Sequence, residues 1–354
     1  MKKVFFVISL LIMFVVLNGC ANKNDMKSPI DDDPKSVKTG ELLTIHDYFA
    51  YKENTNYVYE GEGIEYASYN VMVDYISGDR VQIRSNNGGT EMVRVLENKE
   101  GELKLLLSRE ESYYRENLTQ SPSNKAEIIL KEPLEIGTSW FLTDGRNRSI
   151  TNVEFDVITP LNTYKTLEVT TKDKHSKTQD YYAPNIGLVK SVFTSEGFVV
   201  SSSLSKIESN VPLTQTVKFF YPNVNDYKLY SLNKALTFKT NDLTKVVFEK
   251  AFKELPMKDD NILKVLGPNV HIKSLYLNKD NMVYVDFTKE LVSEMNAGAG
   301  YEGMILQSIT NTFGNYYGVD KVYLTIEGSP YESGHYIMKK GEFFIVDLNN
   351  IVEL

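Results

Sequence analysis

The sequence contains very little cysteine, histidine and tryptophan, and it has no excess of basic residues. A single cysteine among 354 residues excludes a disulfide within the chain. The formal net charge of -8 argues against nucleic-acid binding, which needs clustered lysine and arginine to neutralise phosphates. The histidines lie far apart and lack the ligand spacing of a zinc site, so we predict no metal and no cofactor; they are His46, His175, His271 and His335.

Tyrosine, by contrast, is abundant. The chain has 23 tyrosines against one tryptophan, and tyrosine suits half-buried strands. Its hydrophobic content of 42% and charged content of 24% are typical of a folded soluble protein. The length allows two compact domains after a leader. We predict the α+β class, with a mostly antiparallel β domain at 41–207 followed by a small mixed α/β sandwich at 213–354.

The first twenty residues have the pattern of a signal peptide. Met1-Lys2-Lys3 is basic, and 4–17 is an apolar run that is short for a membrane-spanning helix. It ends in Leu17-Asn18-Gly19-Cys20, which resembles the lipobox of bacterial lipoproteins. That resemblance implies diacylglycerol on the Cys20 thiol and a protein tethered outside the cytoplasm on the outer face of the cell membrane. The rival interpretation is a secreted protein with an incidental cysteine. Residues 21–40 are polar and predict a disordered linker.

Short apolar–polar alternations recur through the β-rich region at 41–207. A hairpin is predicted from strands at 71–76 and 81–84, joined by Ser77-Gly78-Asp79. Further strands are expected at 91–96, 103–107, 153–157, 167–171, 179–182 and 189–193. No amphipathic helix interrupts them, which predicts a mostly antiparallel sheet that is curved or partly closed.

Beyond a polar break at 208–212, the pattern predicts both strands and helices. Asp242 is expected to be the N-cap of a helix whose apolar face includes Val247 and Ala251. A short helix is expected at 288–295 and a longer one at 301–313, with helices packed on one face of a sheet. The expected strands lie at 217–222, 227–238, 272–277, 283–287 and 322–326.

This C-terminal region resembles the sporulation and germination domain called GerMN. The resemblance is carried by Val283-Tyr284-Val285-Asp286-Phe287, by Gln307 to Thr312, by Val319-Asp320-Lys321-Val322 and by Ile326-Glu327-Gly328. It covers about the last 140 residues. The resemblance implies an extracytoplasmic lipoprotein with a fold similar to ring-building modules of envelope assemblies, and protein–protein assembly rather than catalysis.

Two patterns suggest chemistry that other observations disfavour. The glycines of Gly298 to Gly303 match a dinucleotide fingerprint, but that fingerprint follows a strand, whereas here a helix is expected before it. Asp286, Glu302 and His335 are a conceivable acid–base set if they converge in a cleft. No Gly-x-Ser-x-Gly nucleophile motif is present. We therefore predict that the chain is not an enzyme.

Three functions are ranked on these grounds. The first is docking on envelope or sporulation-complex proteins during sporulation or germination, with the membrane reached through the Cys20 lipid. The predicted contacts are Gln307, Asn311 and Tyr316, which lie on the exposed face of the long helix and on the loop that follows it, because the apolar residues of the helix belong to the core. The second is binding of cell-wall fragments or another small ligand by the β-rich region. The third is a hydrolase.

Overall fold

The computed structural model describes residues 43–254 and 261–354, which lie in one compact unit. The predicted signal peptide, Cys20 and the predicted linker lie outside the described residues, so those statements stay predictions. The domain boundary between 207 and 213 also stays a prediction. Within the described residues, no helix is long and apolar enough to cross a membrane.

Twelve antiparallel strands form one sheet after a short helix, Ile45–Tyr48 (α1). Strands that follow each other in sequence pair as hairpins, with the exception of β6 and β7, which are the two ends of the sheet. The first strand also pairs with the twelfth. The predicted mostly antiparallel sheet is therefore confirmed. The strands are Thr55–Glu62 (β1), Tyr69–Ser77 (β2), Arg80–Asn86 (β3), Glu91–Lys99 (β4), Glu102–Arg109 (β5), Glu127–Lys131 (β6), Ser139–Phe141 (β7), Asn147–Ile158 (β8), Thr163–Lys172 (β9), Ser176–Ala183 (β10), Gly187–Ser195 (β11) and Phe198–Ser209 (β12).

The sheet curls until its two end strands, β6 and β7, come close together. Trp140 on β7 donates its indole N–H to the carbonyl oxygen of Ile128 on β6, at 3.0 Å. Arg148 on β8 donates to the same carbonyl oxygen at 2.6 Å and to the Glu127 carboxylate at 2.7 Å. Alternate side chains of the strands point into the curl and form its apolar core with Ile45 of α1. The inside of the curl is thus a space enclosed by strands from both halves of the sheet.

The described residues of the C-terminal part form two smaller sheets and three helices. One sheet has the order β13–β14–β20, and the other has β15–β16–β17–β18, with β19 also paired to β17. β16 and β17 are parallel, and β15 and β16 are antiparallel and form a hairpin. The elements are Leu213–Asn223 (β13), Lys228–Phe238 (β14), Thr244–Lys253 (α2), Ile272–Leu277 (β15), Val283–Phe287 (β16), Glu290–Ser293 (α3), Ala299–Tyr317 (α4), Lys321–Ile326 (β17), Ser329–Pro330 (β18), Phe344–Ile345 (β19) and Val352–Glu353 (β20).

An aromatic cluster holds α2, α4 and β13 together. Phe219 of β13 packs edge-on against Phe252 of α2, with ring centroids 4.9 Å apart. Phe248 and Phe252, one helical turn apart on α2, both contact Phe313 of α4 at 5.4 and 5.6 Å. All four rings are fully buried. One expectation about α2 is wrong: its N-cap is Leu243, because the Asp242 carboxylate instead accepts a hydrogen bond from the backbone N–H of Lys239.

The long helix α4 is buried on more sides than expected. Its predicted apolar stripe is confirmed as core, since Ile305, Leu306, Ile309 and Phe313 are all buried. The helix ends at Gly318, whose φ of 69° is the left-handed conformation that glycine adopts most easily at this position. However, α4 contacts β13 and β14 of one sheet and β16, β17 and β19 of the other. The expectation that helices pack on a single sheet face is therefore wrong for α4.

A buried arginine joins the twelve-stranded sheet to the C-terminal part. Arg115 is 1% exposed and lies in the connection between β5 and β6. Its guanidinium donates to the backbone carbonyl oxygens of Asp74 at 2.8 Å, of Lys239 at 3.0 Å and of Asp242. Its own backbone N–H donates to the Tyr316 hydroxyl of α4 at 2.8 Å. The two parts consequently share a polar, water-excluded contact.

Candidate functional site

The predicted contact residue Asn311 is completely buried. Its Nδ2 donates to the carbonyl oxygen of Asp347 at 2.6 Å, and its Oδ1 accepts from the Asp347 backbone N–H at 2.9 Å. The segment around β19 therefore lies across α4, and it packs so closely that a Cβ at Gly314 would be 2.1 Å from Val346. The expectation that Asn311 is an exposed contact is wrong, because its amide binds the chain's own C-terminal segment.

The other two predicted contacts are half-buried and also bonded within the chain. Gln307 donates from Nε2 to Asn311 Oδ1 at 2.7 Å and to the Ile345 carbonyl oxygen at 2.9 Å. The Tyr316 hydroxyl donates to Gln215 Oε1 at 2.9 Å, and burial raises its pKa. Their role in partner binding stays a prediction, but the Gln307 amide nitrogen and the Tyr316 hydroxyl are both bonded within the chain.

The structure brings Glu302 and His335 together, but not Asp286. The Glu302 carboxylate is 3% exposed at the start of α4 and accepts hydrogen bonds from the Tyr331 hydroxyl at 2.7 Å and from Ser333. His335 Nδ1 lies 2.6 Å from its other oxygen. Burial opposes ionisation of Glu302, but the hydrogen bonds from Ser333, His335 and Tyr331 outweigh it and hold its pKa below the ordinary value.

Asp286 binds elsewhere, on β16. Its Oδ1 accepts from the Thr325 hydroxyl at 2.7 Å and from the Gly328 backbone N–H at 2.8 Å, so it anchors the turn after β17. Within the described ranges, no group of three or more His, Cys, Asp and Glu residues is arranged to hold a metal ion.

The Glu302 cluster is arranged to hold a loop rather than to activate a nucleophile. The Ser333 hydroxyl donates to the Glu302 carboxylate, so it does not form the serine–histidine hydrogen bond that activates the nucleophile of a catalytic triad. The same hydroxyl accepts backbone N–H groups from His335 at 3.1 Å and Tyr336 at 3.0 Å. The cluster therefore ties the loop after β18 to the first turn of α4.

The glycines near the start of α4 also have a structural explanation. Gly298 is the N-cap, and the short helix α3, not a strand, comes before it. A Cβ at Gly303 would lie 2.5 Å from the Tyr336 hydroxyl, so glycine is needed for that side chain to approach. The arrangement is therefore not the strand–turn–helix that a dinucleotide site requires.

A row of three tyrosines crosses the outer face of the C-terminal sheet. Tyr276 of β15, Tyr284 of β16 and Tyr323 of β17 are register partners, with ring centroids 5.5 and 5.0 Å apart. Their neighbours in sequence point inward into the core, as Val283 and Val322 do. Tyr276 is 42% exposed. We call this surface the tyrosine row. Sequence reasoning did not identify this row, although each of the three strands has a tyrosine between two apolar residues, a pattern that places the ring on the outer face.

Comparison with known families matches one segment of the chain. Residues 215–332 match the family described as "Germane: Sporulation and spore germination". We call this segment the Germane domain, after the family that it matches. The GerMN resemblance expected from the sequence is thereby confirmed. The Germane domain contains α2, α3, α4 and the tyrosine row, whereas the twelve-stranded sheet lies outside the match. No curated protein matches the chain.

Several solved structures are distantly similar. The first GerMN domain of the sporulation protein GerM from Bacillus subtilis is 20% identical, covers 39% of this chain and 97% of its own, and has a TM-score of 0.27. The tandem GerMN domains of the same protein are 18% identical over 39% of this chain and 45% of theirs, with a TM-score of 0.25. A protein of Clostridium perfringens described as a lipoprotein is 13% identical, over 38% of this chain and 87% of its own, with a TM-score of 0.25.

Proposed function

We propose that the chain is an exported lipoprotein, anchored through Cys20, whose Germane domain docks on envelope proteins during sporulation or spore germination. The observation that carries this proposal is the family match of residues 215–332. The basic and apolar leader that ends in Cys20 supports the export and the anchoring. We also propose that β13 to β18 with their helices form the small α/β sandwich that the GerMN resemblance implies, similar to ring-building modules.

The tyrosine row is the docking surface that the geometry favours. Tyrosine is enriched at protein interfaces because a large, rigid ring is buried there with little loss of side-chain entropy. The row is flanked by Lys273, which forms an ion pair with Glu327 and lies 3.9 Å from Asp286. An apolar centre with a charged rim is the usual composition of a protein-binding patch. The residues predicted on α4 lack this exposure.

The test compares crosslinked partners of the full chain from growing and sporulating cells of the native host. The variant Tyr276→Ser/Tyr323→Ser removes the two outer rings of the tyrosine row. As a matched control, Tyr113→Ser removes a 51% exposed tyrosine outside the Germane domain. Interface hot spots contribute about 2 kcal/mol or more, so we expect recovery of the partners to fall about tenfold or more. Deletion of 213–354 is unsuitable because it would leave Arg115 without the carbonyl groups of Lys239 and Asp242.

A discrete set of envelope proteins that is lost with the double variant and kept with Tyr113→Ser would support docking through the tyrosine row. Recovery of the same proteins from all three chains would refute the surface, and recovery of no envelope protein would refute the docking function.

A further inference from the structure

The curled sheet encloses a cavity of about 380 Å³, which we call the sheet cavity. Its walls come from both halves of the sheet, with Leu96 and Leu105 on one side and Tyr182 and Leu188 on the other. The segment after α1 adds Phe49 and Tyr51 to the lining. This size and this mostly apolar and aromatic lining are typical of sites that bind small molecules.

Arg94 of β4 lines the sheet cavity without a partner. Among the residues that the structure describes, its guanidinium forms no hydrogen bond and no ion pair. A half-buried guanidinium without a counter-ion loses hydration and gains nothing in return. Every other arginine of the described chain pairs with a carboxylate; these are Arg80, Arg84, Arg109, Arg115, Arg146 and Arg148.

The other ionisable groups of the cavity are already matched. Arg148 binds Glu127 at 2.7 Å and the Thr171 hydroxyl at 2.7 Å. Asp180 accepts from the Ser191 hydroxyl at 2.6 Å, and burial raises its pKa. Among the charged side chains of the cavity lining, Arg94 is therefore the one without a hydrogen-bond or ion-pair partner within the described residues.

Two tyrosines stand beside Arg94 with free hydroxyl groups. Tyr51, Tyr69 and Arg94 all line the sheet cavity. Burial raises the pKa of Tyr51 to about 12 and also raises the pKa of Tyr69. Within the described residues, neither hydroxyl has a hydrogen-bond partner. At the pH of most environments both are therefore neutral donors that face the same space as the guanidinium.

Arg94 and Tyr69 also line a second, outer cleft of about 260 Å³, with Tyr66, Asn87 and Thr90. The cation thus stands where the outer cleft and the sheet cavity share a wall. A charged group held there keeps contact with the polar cleft, while an attached apolar group extends inward along Leu96 and Leu105.

We propose that the sheet cavity binds a small organic carboxylate, with the carboxylate on Arg94 and the Tyr51 and Tyr69 hydroxyls and its apolar body inside the curl. The planar guanidinium matches the two oxygens of a carboxylate. A single unpaired cation balances one negative charge, so a monoanion fits and a phosphate dianion leaves excess charge in a partly dry site. The ligand could come from lipid or from amino acids and peptides, which share this chemistry.

The test uses residues 42–354, the compact unit that contains the sheet cavity, in calorimetric titrations with two carboxylates. Decanoate represents the lipid source and N-acetylphenylalanine the amino-acid source, and decanamide and N-acetylphenylalaninamide are their uncharged controls. Arg94→Gln removes the cation, Arg94→Lys keeps the charge without the planar fork, and Leu105→Trp fills the cavity. The matched control is Arg146→Gln, which removes an arginine that pairs with Asp144.

We expect saturable binding of at least one carboxylate, and the responsive probe identifies the source. A hydrogen bond to a charged group contributes about 1.5–3 kcal/mol, so Arg94→Gln should weaken binding about tenfold or more. Arg94→Lys should be intermediate, Arg146→Gln unchanged, and Leu105→Trp should not bind. Should Leu105→Trp fail to fold, the Arg94 variants decide alone. No saturable binding, equal binding of the amides, or unchanged affinity in Arg94→Gln would overturn the proposal, and none of these results bears on docking.

Discussion

Replacing Arg115 by methionine tests whether the contact between the sheet and the Germane domain contributes to the stability of the whole unit. Methionine keeps much of the volume and can still pack on the Tyr75 ring, over which the guanidinium lies at 4.2 Å. It removes every hydrogen bond from the side chain to the carbonyl oxygens of Asp74, Lys239 and Asp242. Arg84 remains 3.1 Å from the Asp74 carboxylate, so that charge keeps one partner.

Removing one member of a buried ionic network costs about 3–5 kcal/mol, chiefly because the remaining groups are left unsatisfied. We expect Arg115→Met to lower the free energy of unfolding by this amount, which is a large share of the roughly 5–15 kcal/mol of a typical domain. Arg109→Met is the matched control. Its guanidinium is 31% exposed in its pair with Glu116, so it should lose about 1 kcal/mol or less.

Urea unfolding of residues 42–354 measures the free energy of unfolding of the wild type and of both variants. The single tryptophan, Trp140, reports on the sheet, and far-ultraviolet circular dichroism reports on the helices of the Germane domain. In the wild type the two signals should change together, and in Arg115→Met they should separate as the midpoint falls. If Arg115→Met lowers the free energy of unfolding by less than about 1 kcal/mol, or by no more than Arg109→Met does, the assigned role of the buried guanidinium is refuted.

Two further predictions concern the Germane domain. Asn311→Ala should destabilise it by about 2 kcal/mol or more in thermal unfolding, because the Asp347 backbone groups lose their partner; a change within about 0.5 kcal/mol would contradict this. Asn311→Arg would place a charged group in this fully buried position and should therefore unfold the domain. The pKa of Glu302 is lowered on folding, so its ionised form adds stability above the ordinary value of 4.5, and this is lost as the pH falls through the folded-state pKa. Glu302→Gln should therefore be less stable than the wild type in urea unfolding at pH 6, and the difference in free energy of unfolding should become smaller towards pH 3. A difference that does not change with pH would contradict this prediction.

Local patterns in the sequence were sufficient where a short range of residues determines the structure. The hairpin at Gly78 and the apolar stripe of α4 follow from turn chemistry and helical period, and both are present. Strand β12 was missed because its run of serines weakens the apolar alternation that reveals a strand. In this strand, pairing with β1 and β11 supplies the stability that intrinsic propensity does not.

The candidate sites depend on contacts between distant parts of the chain, and here sequence reasoning failed. Asn311 looked exposed because the apolar stripe faces away from it, but the segment around β19 covers that side. Residues 344–347 have no periodic pattern of apolar residues that would predict this packing. Arg94 likewise gives no signal in the sequence, because its lack of a partner depends on which strands face it across the curl.

The pairing of β1 with β12 has a consequence for how the chain folds. Thr55 lies opposite Ser209, and Asn54 just before it accepts the backbone N–H of Val211, so almost the whole β-rich region separates the partners in sequence. Such distant pairings close late and slow the folding of a sheet. A growing or truncated chain that ends before residue 198 exposes the edge of β1 and the tyrosines of its inner face. Strand edges of this kind promote association between chains, so intermediates that lack β12 should be the species most prone to aggregate.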